Sequence, residues 1–219
     1  MLGANALLQL KVWLLTISPT VWRRVVVPVG YTLRELHGVI QVGMGWEGIH
    51  LYQFRLRAAR YGSFELSASS PDVTIESLQL RKGARFTYEY DLNICWRHEI
   101  RVENRLEQDP QKTNPVCVDG HGACPPEDCG GPAGYLERRA AMLSLEALDD
   151  LDMIVDILKQ VVMERRPEVL DNAQTRWQLE QALDRTTTRH HWQGQPFSRR
   201  AVNDRFRHGD HRELMHQRW

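Results

Sequence analysis

The chain has 219 residues, 42% of them hydrophobic, and its 28 Lys and Arg residues balance 28 Asp and Glu residues. This length is enough to bury a hydrophobic core, the apolar fraction excludes a disordered chain, and the zero net charge excludes a histone-like binder of polyanions. The apolar stretch 6–17 is interrupted by Gln9 and Lys11 and is too short for a membrane span, and it has neither the charged start nor the cleavage site of a signal peptide. We therefore expect a cytoplasmic protein that has no contact with a membrane.

The first elements read as a strand pair followed by a helix. Apolar residues at every second position predict a strand over 8–14, and a β-branched run predicts its return over 21–27. Thr32 and Glu35 have the spacing of a capping box, which predicts a helix that begins directly after Thr32. The glycines that follow Met44 predict its end.

Alternating side chains predict further strands over 50–56 and 61–66 and a hairpin over 86–102. The second strand of the hairpin has Arg and Glu on one face and apolar residues on the other, which is typical of a half-solvated antiparallel sheet. This alternation predicts that His98 faces the core. The same reasoning places His50 on the apolar face of its strand.

The second half of the chain loses this alternation. Residues 109–134 contain five Pro, five Gly and three of the four Cys and are expected to form a long cysteine-bearing loop. A helix is expected from Ser144 until Pro167, and another over 173–184. The first has an acidic face, interpreted as solvated, and an apolar face made by Leu148, Leu151, Val155, Leu158 and Val162.

We therefore expect an α+β fold with a largely antiparallel sheet, an early helix, and C-terminal helices packed on one sheet face. Residues 1–186 are expected to form a single domain. The basic, His-rich segment 187–219 is expected to dock in part and to fray beyond Arg207.

Several blocks of the sequence resemble the plasmid pRiA ORF-three-like family, also described as an insertion-sequence passenger TnpR-type family. The matching blocks cover nearly the whole chain in the right order: Ile17 to Arg24, Thr32 to His37, Met44 to Phe54, Tyr88 to Asp91 with Trp96 and His98, Cys124 to Tyr135, and Phe197 to Asn203. The resemblance implies an α+β fold and an association with plasmids and mobile elements. It implies no established activity.

One block departs from the family pattern. The family has Asp-Phe-Gly-Asp before the tryptophan of the hairpin, whereas this chain has Asp91, Leu92, Asn93, Ile94 and Cys95. If the second acid is functional in the family, Asn93 weakens or removes that function. If the acid only shapes the turn, Asn93 can replace it, because Asn tolerates turn geometry.

Histidines and acids near the hairpin make up one candidate site. It comprises His50, Asp91, Trp96, His98, Glu127 and Asp128. A metal-dependent, hydrolase-like enzyme that uses His50, His98, Asp91 and the cysteine loop is one functional hypothesis. The alternatives are that the two histidines are ordinary core residues and that the acids cap or tighten the loop.

The cysteines predict a cofactor. Cys117, Cys124 and Cys129 are spaced to bind zinc together with a fourth ligand from Cys95, His98 or His121. The absence of a Cys-x-x-Cys pair leaves the alternative that they are reduced residues packed under the sheet.

Basic residues predict a nucleic-acid contact. Arg23 and Arg24 follow a tryptophan, and Arg199 and Arg200 lie in the basic C-terminal segment. The alternative is that these arginines are structural or solvated. The leading hypothesis is a non-catalytic accessory or binding protein of mobile elements, whose partner is nucleic acid or a mobile-element protein.

Overall fold

The computed structural model describes residues 6–107 and 115–216, and these residues form two compact units. The first unit combines the described residues up to Glu127 with those from Gln195 onward, and the second is Asp128–Gly194. The boundary expected near residue 186 does not coincide with either limit. No helix within the described ranges has both the length and the apolar character that a bilayer span needs.

The first unit is built on a seven-stranded antiparallel sheet with the order β4-β3-β5-β6-β1-β2-β7, so the α+β prediction is confirmed. Its strands are β1 Ala6–Leu14, β2 Trp22–Pro28, β3 Tyr52–Leu56, β4 Ala59–Gly62, β5 Arg85–Tyr90, β6 Trp96–Glu107 and β7 Val116–His121.

Three strand predictions need correction. β3 begins at Tyr52, so His50 lies before the strand and its side chain is 27% exposed rather than turned into the core. The strand expected over 61–66 is replaced by β4 and a 3-10 turn, Phe64–Leu66. β7 lies inside the expected loop. Its sequence contains Gly and Asp and has no strand-like alternation, so the strand is stabilised by its pairing with β2.

Helix α1, Leu33–Met44, begins at the predicted capping box, with Thr32 and Glu35 bonded reciprocally, and ends at Gly45 in the left-handed conformation. It lies over the sheet, since the His37 ring stacks on Tyr52 at 3.7 Å between centroids.

The C-terminal segment returns to the first unit as α5, Arg199–His208, and α6, Asp210–Glu213. The Asn203 side-chain amide accepts from the Cys117 N–H at 2.8 Å and donates to its carbonyl at 2.9 Å, so α5 is bonded to β7. His211 and Leu214 are buried. The expected fraying beyond Arg207 is therefore wrong for residues 208–216, because apolar contacts hold them; residues 217–219 lie outside the described ranges.

The second unit is helical. It contains α2 Gly131–Ala141, α3 Leu145–Leu158, a π-helical turn Lys159–Met163, a 3-10 turn Pro167–Asp171, and α4 Ala173–His191. The start of α2, residues 131–134, lies in the predicted loop because of its Gly and Pro, yet proline in the first turn suits a helix start.

α3 buries a different face from the one expected. Asp150, assigned to the solvated side, is buried and accepts hydrogen bonds from Arg185 and Arg189 of α4, which lower the pKa of its carboxyl group to about 2. The predicted apolar face is instead 47–61% exposed. Because two arginines pair with it, an acid can occupy the buried side of α3. Hydrophobic periodicity alone does not predict this burial.

Candidate functional site

The candidate site lies where β5 turns into β6. Asp91 follows the last residue of β5 and has a φ of +51°, a left-handed conformation that is uncommon for residues other than glycine. Its backbone N–H donates to the Leu51 carbonyl at 3.0 Å, and its carboxylate accepts from the Asn93 N–H at 3.2 Å. The turn therefore holds the Asp91 carboxylate in place, and the backbone of Asn93 takes part in shaping it.

Asp91 faces His50, which the chain places just before β3. The His50 Nε2 and Asp91 Oδ2 atoms are 3.5 Å apart, a separation at the outer limit of a hydrogen bond. Asp91 is 4% exposed, whereas the imidazole is partly open to solvent. A buried carboxylate and a reachable imidazole thus form the centre of the site.

Tyr90 connects this pair to Glu127. The His50 backbone N–H donates to the Tyr90 hydroxyl at 3.2 Å, and that hydroxyl donates to the Glu127 carboxylate. The Glu47 N–H donates to the other oxygen of the same carboxylate at 2.8 Å. Burial, together with Glu127, raises the pKa of Tyr90, so the phenol remains a donor.

Two tryptophans fix the segment that carries Glu127. Trp96 donates its indole N–H to the Glu127 carbonyl at 3.1 Å, and Trp46 donates to the Pro125 carbonyl at 2.9 Å. Trp96 therefore acts on the site through the backbone.

His98 lies beneath the site rather than in it. It is fully buried, as predicted, and packs edge-on against Trp46 at 5.4 Å. Neither ring nitrogen forms a hydrogen bond of good geometry with a described residue, although the backbone carbonyls of Tyr88 and Trp96 lie near the ring. Burial lowers the pKa of His98 to about 3, although the carbonyls of Tyr88 and Trp96 act in the opposite direction.

The first unit thus brings His50, Asp91 and Glu127 into one bonded neighbourhood, with Trp96 supporting it and His98 below. The remaining predicted residue, Asp128, is exposed and is the first residue of the second unit.

The three cysteines of the predicted zinc site are divided between the two units. Cys117 and Cys124 belong to the first unit and Cys129 to the second, and all three are buried free thiols. Of the proposed fourth ligands, Cys95 lies in the β5–β6 turn and His121 is exposed. No cysteine sulfur of the described residues belongs to a group of three close metal-ligating atoms. Burial raises the pKa of Cys117 and of Cys129 to about 11, and zinc binding by the cysteines stays a prediction.

The two arginines of β2 are engaged in the fold. Arg23 is 3% exposed, and its guanidinium donates to the carbonyls of Trp22, Gly43, His121 and Gly122 while it covers the Phe197 ring. Arg24 pairs with Glu103 at 2.6 Å and with Asp119 at 2.9 Å. These contacts leave few donors for a phosphate.

Arg199 and Arg200 are exposed at the start of α5. The first donates weakly to the Val118 carbonyl at 3.4 Å, and the second lies 3.9 Å from Asp204. Arg207 also pairs with Asp204, and Arg205 pairs with Asp210. The basic segment therefore carries much of its own countercharge, and nucleic-acid binding remains a prediction.

Sequence reasoning missed a cleft in another part of the first unit. A cleft of about 430 Å³ is lined by Arg34, Tyr52, Phe64, Ser70 and His216, among others. Arg34 is held by Asp72 at 2.6 Å. The lining residues come from a helix start, a strand, two loops and the C-terminal segment, so no local motif marks them.

Comparison with known proteins supports the resemblance seen in the sequence. The profile of the plasmid pRiA4b ORF-3-like protein family matches residues 6–172. The uncharacterized protein y4hQ of Sinorhizobium fredii strain NGR234 is 37% identical over 138 residues, which cover 60% of this chain and 71% of that protein.

The fold also has a counterpart among solved structures. The protein of unknown function MM3350 from Methanosarcina mazei Go1 superposes with a TM-score of 0.61 and 29% identity, over 67% of this chain and 88% of that one. The order of the motifs, the antiparallel sheet and the extent of the profile match agree, and the chain belongs to the plasmid pRiA4b ORF-3-like protein family.

Proposed function

We propose that the protein binds a divalent transition-metal ion at His50 and Asp91. The observation that supports this most is the 3.5 Å separation of His50 Nε2 and Asp91 Oδ2. Two ligand atoms that each lie about 2.0–2.2 Å from a tetrahedral ion are about 3.4 Å apart, so the pair has the spacing of ligands that share a metal. The same separation is long for a direct hydrogen bond.

The surroundings favour this assignment. Imidazole and carboxylate together are ligands that zinc, manganese and iron(II) accept. The left-handed turn fixes the carboxylate before any ion arrives, which lowers the ordering cost of binding. The ion stays close to water, because the imidazole is partly exposed.

Two protein ligands, one fewer than in the usual catalytic zinc site, leave coordination positions for water or a substrate. A water molecule bound there would be a nucleophile for hydrolysis. The Glu127 carboxylate, held by Tyr90 and the Glu47 N–H, is the neighbouring group that can accept a proton. The proposal favours the hydrolytic hypothesis over the nucleic-acid hypothesis, because two of the four arginines assigned to nucleic acid, Arg23 and Arg24, are engaged within the chain.

The test is titration of metal-stripped full-length protein with Mn²⁺ and Zn²⁺ by calorimetry. We expect one ion per chain and a loss of at least about tenfold in affinity, or about 1.4 kcal/mol, in His50→Gln and in Asp91→Asn. Asn is the replacement at position 91 because it tolerates the left-handed backbone.

His121→Gln is the matched control, since it removes an exposed imidazole from the same unit. Binding unchanged in His50→Gln, or no binding by the wild-type protein, would refute the proposal. Loss of zinc binding in Cys124→Ser but not in His50→Gln would instead favour the cysteine site. Mn²⁺ separates the two, because it prefers oxygen and nitrogen ligands to thiolates.

Hydrolysis is tested separately with bis(p-nitrophenyl) phosphate and p-nitrophenyl acetate as generic substrates. Metal-dependent turnover that is lost in Glu127→Gln supports an enzyme. Metal binding without turnover of either ester supports a non-catalytic binding protein.

A further inference from the structure

The second unit has an exposed apolar helix face. Five aliphatic side chains of α3 and the following π-helical turn recur at intervals of three and four residues and are 47–61% exposed. They are called here the α3 stripe and comprise Leu148, Leu151, Val155, Leu158 and Val162. A neighbouring side of α3 carries buried Ala147, Asp150 and Ile157, so the stripe lies beside the face that α3 uses within its own unit.

The exposed apolar surface of the second unit extends beyond the stripe. Other apolar residues of the unit are 41–86% exposed: Leu136, Leu143, Leu145, Met163, Trp177 and Leu183. An uncovered apolar helix face of this kind marks a site of protein–protein contact.

The spacing of the stripe is symmetric about Val155 to within one residue. Leu151 and Leu158 lie four residues before and three residues after it, and Leu148 and Val162 lie seven residues to either side. Two copies of such a helix that run in opposite directions place Val155 against its own copy. Each remaining position then meets an apolar residue, as a two-fold interface requires.

The charges beside the stripe have the same symmetry. Asp152 and Lys159 lie seven residues apart along one edge, both are exposed, and neither forms an ion pair with another described residue. In an antiparallel pair centred on Val155, Asp152 of each copy lies within one residue of the level of Lys159 of the other, near enough for two equivalent ion pairs. In a parallel pair the residue opposite Asp152 is apolar Ala147, so the charges favour the antiparallel arrangement.

We propose that the protein forms a two-fold symmetric homodimer through the α3 stripes of two chains packed antiparallel. The occupant of the exposed face is therefore a second copy of the chain. This inference is independent of the metal site, which lies in the other unit.

The test is the mass of the full-length protein in solution, measured by light scattering after size-exclusion chromatography over a range of micromolar concentrations. We expect a dimer for the wild type and a monomer for Val155→Glu, which places two carboxylates against each other at the centre. Leu143→Glu is the matched control, because it adds the same charge at an 86% exposed position outside the stripe, and it should remain dimeric.

Charge reversal tests the orientation. Asp152→Lys should weaken dimerisation at least about tenfold by facing Lys159 of the other chain, and adding Lys159→Asp should restore it. Circular dichroism confirms that each variant is folded. A monomeric wild type, a dimer that persists in folded Val155→Glu, or a dimer indifferent to Asp152→Lys would each overturn the proposal.

Discussion

Two core histidines, His37 and His98, are kept neutral by burial, which lowers the pKa of each to about 3. His37 Nδ1 lies 2.7 Å from the Tyr88 hydroxyl, which also accepts from the Gln41 side-chain amide at 2.7 Å. The Tyr88 proton is then directed to Nδ1, and the His37 proton is on Nε2. His98 has no equivalent partner among the described residues.

This difference makes His98 the better position at which to test acid sensitivity. An unfolded histidine titrates near ~6.5, above the folded value, so the unfolded state gains protons first as the pH falls. The contribution of neutral His98 to the unfolding free energy is therefore complete above pH ~6.5 and is lost progressively as the pH falls toward 3. We expect His98→Leu to reduce the loss of unfolding free energy between pH 7 and pH 5 by about 2 kcal/mol, as measured by urea denaturation.

At pH 7 the same variant should keep stability close to that of the wild type, because Leu removes two buried nitrogens that form no hydrogen bond of good geometry. His121→Gln, at an exposed position, should retain the acid sensitivity of the wild type. An unchanged pH dependence in His98→Leu would show that His98 is not kept neutral in the fold.

At the scale of elements, α1 and α6 approach each other through a glycine. A Cβ atom at Gly38 would lie 2.0 Å from the His211 carbonyl oxygen, so the contact requires a residue without a side chain. We expect Gly38→Ala to lower the unfolding free energy by at least about 1–3 kcal/mol and to expose the C-terminal segment to proteolysis, because a backbone group cannot rotate away.

Gly43→Ala on the same helix is the control for helix propensity. Its Cβ would meet only the Arg23 side chain at 3.7 Å, an ordinary contact, so stability should stay the same or rise slightly. Equal effects of the two substitutions would contradict the tight approach of α6.

The elements that sequence reasoning predicted well are those with a local signal. The capping box at Thr32 marked the start of α1, and strict alternation fixed the register that turns His98 inward. β7 has no such signal, because its order comes from pairing with β2 and from the side chain of Asn203. The buried face of α3 was misassigned because two arginines of α4 neutralise Asp150.

The candidate site was predictable as a set of residues and not as a geometry. His50, Asp91 and Glu127 were named from residue type, but the link through Tyr90 joins segments about forty residues apart in the sequence. The left-handed turn at Asp91 and the exposure of His50 likewise depend on how the strands end. One sequence cannot supply these distances.

For the molecule as a whole, Arg23 joins β2, the end of α1 and the chain after β7 through its bonds to backbone carbonyls. Burial lowers the pKa of its guanidinium, yet no described acid pairs with it. We expect Arg23→Met to cost several kcal/mol of unfolding free energy, because it leaves buried carbonyls without donors at about 1–3 kcal/mol each.

Arg24→Met is the neighbouring control, and calorimetric or urea unfolding measures both variants. Its ion pairs with Glu103 and Asp119 are partly exposed and should cost no more than about 1 kcal/mol. A loss in Arg23→Met as small as that of Arg24→Met would mean that the buried guanidinium does not hold the sheet and helix together.

The bonds between Asn203 and Cys117 have a consequence for biosynthesis. β7 is an edge strand, and an open edge can recruit a strand from another chain and begin aggregation. The Asn203 amide occupies the outward N–H and C=O of Cys117, in the manner of one residue of an additional strand. Because Asn203 follows Cys117 by 86 residues, a nascent chain carries this edge unprotected while the whole helical second unit is being synthesised. The segment that carries Asn203 thus protects this edge of the sheet, and we expect a chain truncated before Asn203 to aggregate more readily than the full chain.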